Sequence, residues 1–320
     1  MSSETITEKY PLVSVICVTY KKFNYVFKAL ASILIQDYPN IELLIADDGS
    51  PSFPYDDIVS FISDRKNSNI KDIRILHSET NRGTVKNLNN AYKNAKGVYI
   101  VQLAGDDEFY SSDVVTKIVN TFLEKDYDFF LTSRVCIDEN DEVIKTIPTK
   151  FERKLISRLN TKEKQYKAAV LGEFYDVLSG SVTYFKKSFI DERGYYDEKY
   201  CLFEDTPLYL NYLKKHSISF DFDIISIKYR TDGVSNPNNP NPVFVNDVRL
   251  FHKTDMLECA NDYGSFFKKK IYYTIDRYYL KDWKSRLKLY IRHPFICLSN
   301  VIYQTRIKIA NAFEKGQKQL

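Results

Sequence analysis

Residues Gly97–Glu108 read GVYIVQLAGDDE, a mostly apolar run that ends in a glycine and then in acidic side chains. Continuous apolar character is typical of a strand in a parallel sheet, because helices cover both faces of such a sheet. Unpaired carboxylates cannot continue into that core, so we expect Asp106 and Asp107 where the strand leaves the sheet. Ligands of open α/β sheets bind at this edge. Adjacent aspartates there favour a divalent cation that also holds phosphate oxygens.

The same pattern of strand and helix runs through the first part of the chain. Each apolar run is followed by a segment with apolar residues at helical spacing. The predicted strands are Val13–Tyr20, Ile41–Ala46, Ile73–His77 and the run described above, and the predicted helices are Tyr25–Ile35, Asp57–Arg65, one from Asn81-Arg82-Gly83 through Ala95, and one capped by Ser112-Asp113 that runs to Glu124. This alternation predicts right-handed βαβ units and a parallel sheet.

The next part of the chain has a more irregular order of elements. The predicted elements are a hairpin of Asp128–Ile137 and Val143–Ile147, a helix Lys162–Leu171, a strand Ser181–Phe185, a helix Thr206–Lys215 and a strand Ile218–Arg230. The loop Asn236–Pro242 contains too many prolines for a helix or a central strand. We therefore predict a main domain at 1–240, with a nucleotide-binding half at about 11–125 and an irregular half at about 126–240, followed by a helical region at 241–320.

The C-terminal region is basic and rich in aromatic residues. From Lys268 to Leu320 there are 13 Lys and Arg against 3 Asp and Glu, whereas the rest of the chain is mildly acidic. An apolar stripe at helical spacing, with a basic stripe beside it, predicts one helix that ends at Pro294, before a further segment Phe295–Phe313. The apolar stripe is Ile271, Ile275, Tyr279, Trp283, Leu287 and Ile291, and the basic stripe is Arg277, Lys281, Lys284, Lys288 and Arg292. Packing on the main domain and contact with an anionic membrane surface both remain open, and the charge slightly favours the membrane.

Composition excludes several classes of protein. The five cysteines are scattered and odd in number, which argues against a disulfide framework or a zinc site and favours a reducing compartment. The polar segment Met1–Glu8 does not resemble a signal peptide, and no apolar run reaches membrane-spanning length. We expect a cytoplasmic protein, either free in the cytoplasm or bound peripherally to the inner face of the cell membrane. We expect no nucleic-acid partner.

Three predicted strands deliver polar side chains to one edge of the sheet. The first ends in Thr19-Tyr20, the second leads into Asp48, and the fourth leads into Asp106 and Asp107. A tyrosine ring stacks on a base, and an aspartate accepts from a base N–H or holds a ribose. Each residue taken singly is equally well explained as a turn or cap residue. The absence of G-x-G-x-x-G and of a P-loop motif argues against a dehydrogenase or a P-loop enzyme.

A set of motifs with specific order and spacing extends over about Val13 to Ser235. The motifs are Val13–Tyr20, Ser32–Ser50, Asn81-Arg82-Gly83 with Lys86-Asn87, Gly97–Asp107, Gly194–Glu198 and Phe203-Glu204-Asp205. As a set they resemble those of family 2 inverting glycosyltransferases of the GT-A fold, of the type that builds bacterial surface polysaccharides. The resemblance implies an α/β fold with a Rossmann-like, mostly parallel sheet flanked by helices, and we add a C-terminal helical extension to it.

The resemblance implies nucleotide-sugar contacts for the matching residues of the first half. Thr19, Tyr20 and Asp48 would bind the nucleotide, with Tyr20 and Asp48 on the uracil of a UDP-sugar. Asp107 would ligate Mg²⁺ or Mn²⁺ bridging the diphosphate, and Asp106 would touch the ribose or support the site. Lys86 would neutralise phosphate or contact the donor sugar.

In the irregular half, Asp205 would be the general base that takes the proton of the acceptor hydroxyl, with Glu204 beside it in the nucleotide-sugar site. A simpler interpretation is a helix cap, because Asp205 precedes Thr206-Pro207. The two roles are compatible. One departure from the family pattern is the lack of a histidine in Tyr229–Ser235. Either Arg230 or Asp232 would substitute for it, or metal binding would rely more on Asp107.

We therefore predict a metal-dependent, inverting transferase. It would move a hexose or N-acetylhexosamine from a UDP-sugar to a glycan or lipid-linked saccharide in cell-surface polysaccharide synthesis. The alternatives are a nucleotide- or glycan-binding protein that has lost catalysis, and, less favoured, a nucleotidyltransferase. The latter usually has a glycine-rich loop after the first strand, and Thr19-Tyr20-Lys21-Lys22 is not such a loop.

Overall fold

The four strands predicted for the first part of the chain lie side by side in the computed structural model. The structure describes residues 9–174, 176–231, 233, 239 and 241–317, with side chains described as far as Ile309. The strands are β1 (Val13–Thr19), β2 (Ile41–Asp47), β3 (Ile70–His77) and β4 (Tyr99–Ala104). β1 pairs in parallel with β2 and β4, and β2 pairs in parallel with β3. The carboxyl ends of the four strands therefore meet at one edge, as predicted.

Helices cover both faces of this sheet because successive residues of each buried strand point to opposite faces. On β1, Val15 packs in one hydrophobic cluster and Ile16 in the other. The intervening helices are α1 (Phe23–Leu34), α2 (Tyr55–Arg65), α3 (Thr84–Asn94) and α4 (Val114–Glu124). The side chains of α1, α2 and α4 join the cluster of Val15, whereas those of α3 join the cluster of Ile16.

The second half extends the same sheet. The added strands are β5 (Glu108–Phe109), β6 (Phe129–Ile137), β7 (Val143–Ile147), β8 (Thr183–Lys186) and β9 (Ser219–Arg230). Within the described residues the sheet has nine strands in the order β3-β2-β1-β4-β8-β6-β9-β5, with β7 paired to β6 as the predicted hairpin. β8 runs antiparallel to β4 and β6, so the sheet is mixed, and β8 joins the two halves.

Two helices of the second half were predicted and two were not. The helices are α5 (Lys150–Ile156), α6 (Lys162–Val170), α7 (Lys187–Arg193) and α8 (Asp205–Leu213). The missed helix α5 begins with a capping box, in which the Thr149 and Glu152 side chains each accept from the other residue's backbone N–H. The T-x-x-E spacing in the sequence could have revealed it. The helix α7 and the strand β5 are too short to show a clear period.

The C-terminal region is helical, but it contains no single long helix where one was predicted. Its helices are α9 (Pro242–Lys253), α10 (Asp255–Glu258), α11 (Gly264–Tyr279), α12 (Trp283–Arg292) and α13 (Pro294–Gln317). The predicted stripe is divided because Leu280 is extended and Asp282 caps α12 by accepting from the Ser285 N–H. Pro294 starts α13 instead of only ending a helix.

The two ends of this region pack differently. Phe251 of α9 and Phe267 and Ile271 of α11 are buried in the large cluster beneath the sheet. Trp283 of α12 and Phe295 of α13 are 69% and 81% exposed. Among the helices that the structure describes, none combines the length and the apolarity needed to cross a bilayer. The predicted boundary at residue 240, positions 236–238 of the predicted loop and Asp232 lie outside the described residues.

Candidate active site

A cleft of about 710 Å³ lies at the carboxyl-terminal edge of β1 and β4 and is closed on its other side by the irregular half. The first half contributes Thr19, Tyr20, Asp48, Asp106 and Asp107 to its wall. The second half contributes the acidic pair Glu204 and Asp205, at the start of α8. The structure thus brings seven of the eight predicted site residues to one cleft.

The first-half wall of the cleft is formed by strand ends. Thr19 is buried at the end of β1, and the adjacent Tyr20 is 38% exposed, with the Lys21 ammonium 4.7 Å from its ring centre. Asp48 is buried, and its two oxygens accept hydrogen bonds from the backbone N–H groups of Arg82 (2.9 Å) and Gly83 (2.8 Å). Asp48 therefore lines the cleft and also fixes the loop that precedes α3.

The residues around that loop have different positions. Asn87 of α3 donates to the Ala46 carbonyl of β2 at 2.9 Å, and Asn81 accepts from the Gly83 N–H at 3.1 Å within the loop. Lys86 is exposed and is not among the residues that form the cleft wall. Its positive charge acts on the thiol of Cys201, which is part of that wall. Lys86 thus lies beside the cleft.

The acidic pair at the end of β4 has two different environments. Asp106 accepts from the Lys22 ammonium at 2.9 Å, and its side chain is 20% exposed. Asp107 is 2% exposed, and its Oδ1 accepts from the Arg230 backbone N–H at 2.9 Å. Burial, and next the charge of Asp106, raise the pKa of Asp107 well above its usual range, although the Arg230 N–H opposes the shift.

The second oxygen of Asp107 fits a divalent cation. Among the described residues, Asp107 Oδ2 is a buried side-chain atom without a hydrogen-bond partner, and the residue lines the cleft. A bound cation would be the partner that this oxygen lacks. No three His, Cys, Asp or Glu side chains of the described chain are grouped as a metal site. Oxygens of a bound ligand would therefore have to complete the coordination, as is common for Mg²⁺ with phosphates.

The second acidic pair is Glu204 and Asp205, and it packs against the backbone of Gly180. Asp205 is the first residue of α8 rather than its cap, and its Oδ1 accepts from the Thr206 N–H at 2.5 Å. Its Oδ2 accepts from the Gly180 N–H at 3.0 Å. A Cβ at Gly180 would lie 3.1 Å from Glu204 Oε1, so the close approach of this backbone to both acids favours glycine. The two oxygens of the Asp205 carboxylate therefore have different partners, one within α8 and one in the segment before β8.

These two carboxylates also have perturbed proton affinities. Burial, and next the charge of Asp205, raise the pKa of Glu204 to about 8. Burial raises the pKa of Asp205 as well, while the N–H groups of Gly180 and Thr206 and the charge of Arg134 oppose the rise. Raised carboxylate pKa values in a cleft are typical of groups that exchange protons.

The chain matches the family model described as "Glycosyl transferase family 2" over residues 14–194, which is more than half of its length. The chain belongs to glycosyl transferase family 2. The matched range includes the first half of the cleft and Gly180, but not Glu204 or Asp205.

Curated relatives of this family 2 glycosyltransferase match it over part of their length. An uncharacterized glycosyltransferase of Rickettsia felis is 36% identical over 140 residues, which are 43% of this chain and 22% of the relative. The UDP-Glc:alpha-D-GlcNAc-diphosphoundecaprenol beta-1,3-glucosyltransferase WfaP of Escherichia coli is 35% identical over 133 residues, which are 40% of this chain and 48% of WfaP. The matches thus span about a fifth of the first relative and about half of the second.

Solved structures identify the fold as GT-A. Staphylococcus aureus TarS 1–349 in complex with UDP-GlcNAc aligns with a TM-score of 0.58 at 20% identity, covering 84% of this chain and 72% of that chain. The mannosyltransferase PcManGT from Pyrobaculum calidifontis, in complex with GDP-Man and Mn²⁺, aligns with a TM-score of 0.52 at 14% identity, covering 95% and 86%. The predicted family and fold class are confirmed.

Sequence reasoning missed a cation of this glycosyltransferase that lies in the cleft wall. Arg134 of β6 is 6% exposed and donates to Ser181 Oγ at 3.2 Å and to the Asp176 carbonyl at 2.7 Å. Its charge lowers the pKa of both Asp107 and Asp205. An arginine inside an otherwise buried, apolar strand was the available signal, because a fully buried charge is rare unless it has partners.

Arg230 occupies the segment that lacks the family's histidine. Besides its N–H bond to Asp107, its guanidinium is 2% exposed, pairs with Glu108 at 3.2 Å and also contacts Asp141 in the β6–β7 turn. It lies over the Tyr25 ring at 4.3 Å. The side chain is thus engaged away from the free oxygen of Asp107, and its backbone is what reaches the acidic pair.

Proposed function

We propose that this family 2 glycosyltransferase transfers a hexose or N-acetylhexosamine from a UDP-sugar to a saccharide acceptor, with inversion at the anomeric carbon. The carrying observation is that Asp107, with a free buried oxygen, and Asp205, with a raised pKa, line the same cleft from opposite halves. One side would hold the leaving nucleotide and the other would activate the acceptor. A protein that only binds nucleotides has no need for the second carboxylate.

On the nucleotide side, Tyr20 would stack on the uracil, with Thr19 beside it. Asp48 lines the same wall, and its remaining lone pairs would accept from the base. Asp107 would hold Mg²⁺ or Mn²⁺, which when bound would stabilise negative charge on the departing diphosphate. Asp106, paired with Lys22, would orient the ribose or support the site.

On the acceptor side, Asp205 would take the proton of the attacking hydroxyl. Its Oδ2 is directed by the Gly180 N–H, and Glu204 beside it would face the donor sugar. Such a base typically contributes about 10²–10⁴-fold to the rate. A single displacement inverts the anomeric centre, so an α-linked UDP-sugar would give a β-linked product.

The acceptor would be a glycan or a lipid-linked saccharide of a cell-surface polysaccharide. The relative WfaP acts, by its name, on a diphosphoundecaprenol-linked sugar, which supports a lipid-linked acceptor here. A screen of UDP-sugars for metal-dependent donor hydrolysis tests the proposal. One sugar nucleotide should be hydrolysed with Mn²⁺ present and not with EDTA. UDP binding without hydrolysis or transfer of any donor would favour the inactive binding protein.

An exposed face of α12 and α13 supports action at an anionic membrane surface. Trp283, Leu287 and Ile291 of α12 are 69%, 48% and 71% exposed at four-residue spacing. The basic residues Lys284, Lys288 and Arg292 follow them by one position each along α12, so an apolar stripe lies beside a positive one. This combination is typical of helices that lie in the interface of anionic lipids.

Vesicle flotation tests the membrane contact. Deletion from Lys268 would remove the buried Ile271 from the main hydrophobic cluster, so point variants are preferable to truncation. Trp283→Glu with Ile291→Glu should reduce binding to anionic vesicles by about tenfold or more, because a charge replaces buried apolar contact. Lys9→Glu with Lys66→Glu changes the same number of exposed residues elsewhere and should have a smaller effect. Equal binding by all three proteins would remove the membrane proposal.

A further inference from the structure

A second cavity, of about 420 Å³, lies in the C-terminal region. It is open on one side and is lined by the turn Leu171–Glu173 after α6, by α11, by Arg286 of α12 and by residues of α13. None of its lining residues belongs to the wall of the active-site cleft. We refer to it below as the C-terminal cavity.

The C-terminal cavity has an excess of positive charge. Three cations line it, namely Lys270 and Arg277 of α11 and Arg286 of α12, against one acid, Glu173. His252 also lines it, but burial lowers the pKa of this imidazole to about 4, so it is neutral at physiological pH. Uncharged donors, including Thr274 and Asn300, complete the polar part of the wall.

The three cations have no close ion-pair partner among the described residues, although the charge of Lys270 acts on Glu173. Arg286 Nε donates to the Leu280 carbonyl at 2.6 Å, which fixes the guanidinium at the start of α12. Neither its terminal nitrogens nor the side chains of Lys270 and Arg277 form an ion pair within 4.0 Å among the described residues. Arg277 and Arg286 are exposed and Lys270 is half-buried at the cavity wall, so an anion could bind them without breaking an existing ion pair.

We propose that the C-terminal cavity binds a phosphate group through Lys270, Arg277 and Arg286. Arginine side chains present fixed forks of N–H donors that match phosphate oxygens, and a lysine adds a point charge. The bearer of the phosphate is either the headgroup of a lipid, because α12 and α13 also carry the exposed apolar face, or a soluble phosphate compound. Both sources share the chemistry that the cavity recognises.

The test measures pyrophosphate binding to the full-length chain by calorimetry, in EDTA and without any sugar nucleotide. Lys270→Gln with Arg277→Gln should weaken binding by about tenfold or more, because two charge-assisted contacts are lost. The control Lys269→Gln with Lys281→Gln removes the same charge from residues outside the cavity and should change affinity by less than about twofold. Equal weakening by both pairs of substitutions would overturn the proposal, because the loss of affinity would then follow from the change in net charge alone.

A variant that is expected to strengthen binding keeps the test decisive if the double variant is unstable. Glu173→Gln removes the one acid of the cavity and should tighten pyrophosphate binding by about threefold or more. A parallel arm uses vesicles of phosphatidylcholine with and without phosphatidic acid. Loss of the phosphatidic-acid increment in the Lys270→Gln/Arg277→Gln protein alone would identify a lipid headgroup.

The two arms together decide between the sources and a negative result. Loss of pyrophosphate binding in the cavity variant, with unchanged vesicle binding, would identify a soluble phosphate compound. Absence of both pyrophosphate and phosphatidic-acid binding in the unaltered protein would overturn the proposal. The readouts need no transfer activity, so they stand or fall independently of the proposed reaction.

Discussion

Asp107 and Asp205 line one cleft, but they are fixed there in different ways. Asp107 follows β4 directly, and its Oδ1 accepts from the backbone N–H of Arg230, the last residue of β9 in the same sheet. Asp205 begins a short helix and is held by Gly180, whose carbonyl in turn accepts from Gln102 of β4 at 2.5 Å. One acid depends on the ends of a regular sheet, and the other on a chain of contacts between distant segments.

The difference concerns how each half tolerates change. The side proposed to bind the nucleotide is built on β1, β2 and β4, whose residues are almost all buried, so its geometry is supported by the core. The side proposed to bind the acceptor relies on Gly180, Ser181 and Arg134, which meet through side-chain and loop contacts. We expect variants of the first kind to change metal and nucleotide affinity, and variants of the second kind to change the rate and its pH dependence.

The largest expected effect is that of Asp205→Asn. Transfer should fall by about 10³-fold, because the amide cannot accept the proton of the acceptor hydroxyl, whereas UDP affinity should change little. Single-turnover transfer and calorimetric UDP binding measure the two quantities. Glu192→Gln, which removes an exposed acid of α7, is the matched control. Full turnover by the Asp205→Asn protein would end the proposed division between the halves.

Asp107→Asn should lower metal-dependent transfer by about 10²-fold, because charge stabilisation of the leaving group is lost. The same change should raise the free energy of unfolding at neutral pH, because the raised pKa of Asp107 means that the fold disfavours its charged form, and the amide oxygen can still accept from the Arg230 N–H. Titration with Mn²⁺ and denaturant unfolding check the two parts.

The control for that variant is Asp106→Asn, which breaks the more exposed pair with Lys22 and should affect both quantities less. A destabilised Asp107→Asn protein with unchanged metal affinity would contradict a metal role for Asp107. It would instead assign this residue to the framework of the sheet.

Arg134→Gln should reduce transfer at neutral pH by about tenfold, the size of one charge-assisted hydrogen bond. Because the Arg134 charge lowers the pKa of Asp205, its removal raises that pKa further. The base must be deprotonated to act. As the pH is lowered, the variant should therefore lose activity at a higher pH than the unaltered protein does. The acidic limb of the kcat–pH profile should therefore shift upward, and Arg134→Lys should restore part of it. An unshifted profile would limit Arg134 to holding Ser181 and Asp176.

The smallest expected effect is that of Lys86→Ala. Lys86 is exposed beside the cleft, so solvent screens its charge, and the KM for the donor should rise by about threefold at most. Steady-state kinetics at low and high salt should show this difference shrinking as salt increases. A loss as large as that of Arg134→Gln, with no salt dependence, would mean that Lys86 contacts the donor directly. This result would support the role that the family resemblance implies for Lys86.

Much of the first half was predictable because one signal encodes both its fold and its site. The apolar runs that end at Thr19, Ala46 and Ala104 mark strand ends, and parallel pairing forces those ends to one edge. The acids and the tyrosine that follow these runs were therefore identified together. The C-terminal stripe also has regular spacing, but the prediction of one helix from it was wrong. The helical periodicity continues across the three-residue break at Leu280–Asp282, so the sequence pattern does not reveal the break.

The sequence by itself determined the order of the strands along the chain, the edge at which Tyr20, Asp48 and Asp107 are placed, and the family. Only the tertiary structure decided which segments surround Asp205. The Gln102–Gly180 and Arg134–Ser181 contacts join residues 78 and 47 positions apart, and nothing in either local segment specifies its partner. Periodicity reports which face of an element is buried, whereas the identity of the group that fills the facing space depends on how distant elements pack.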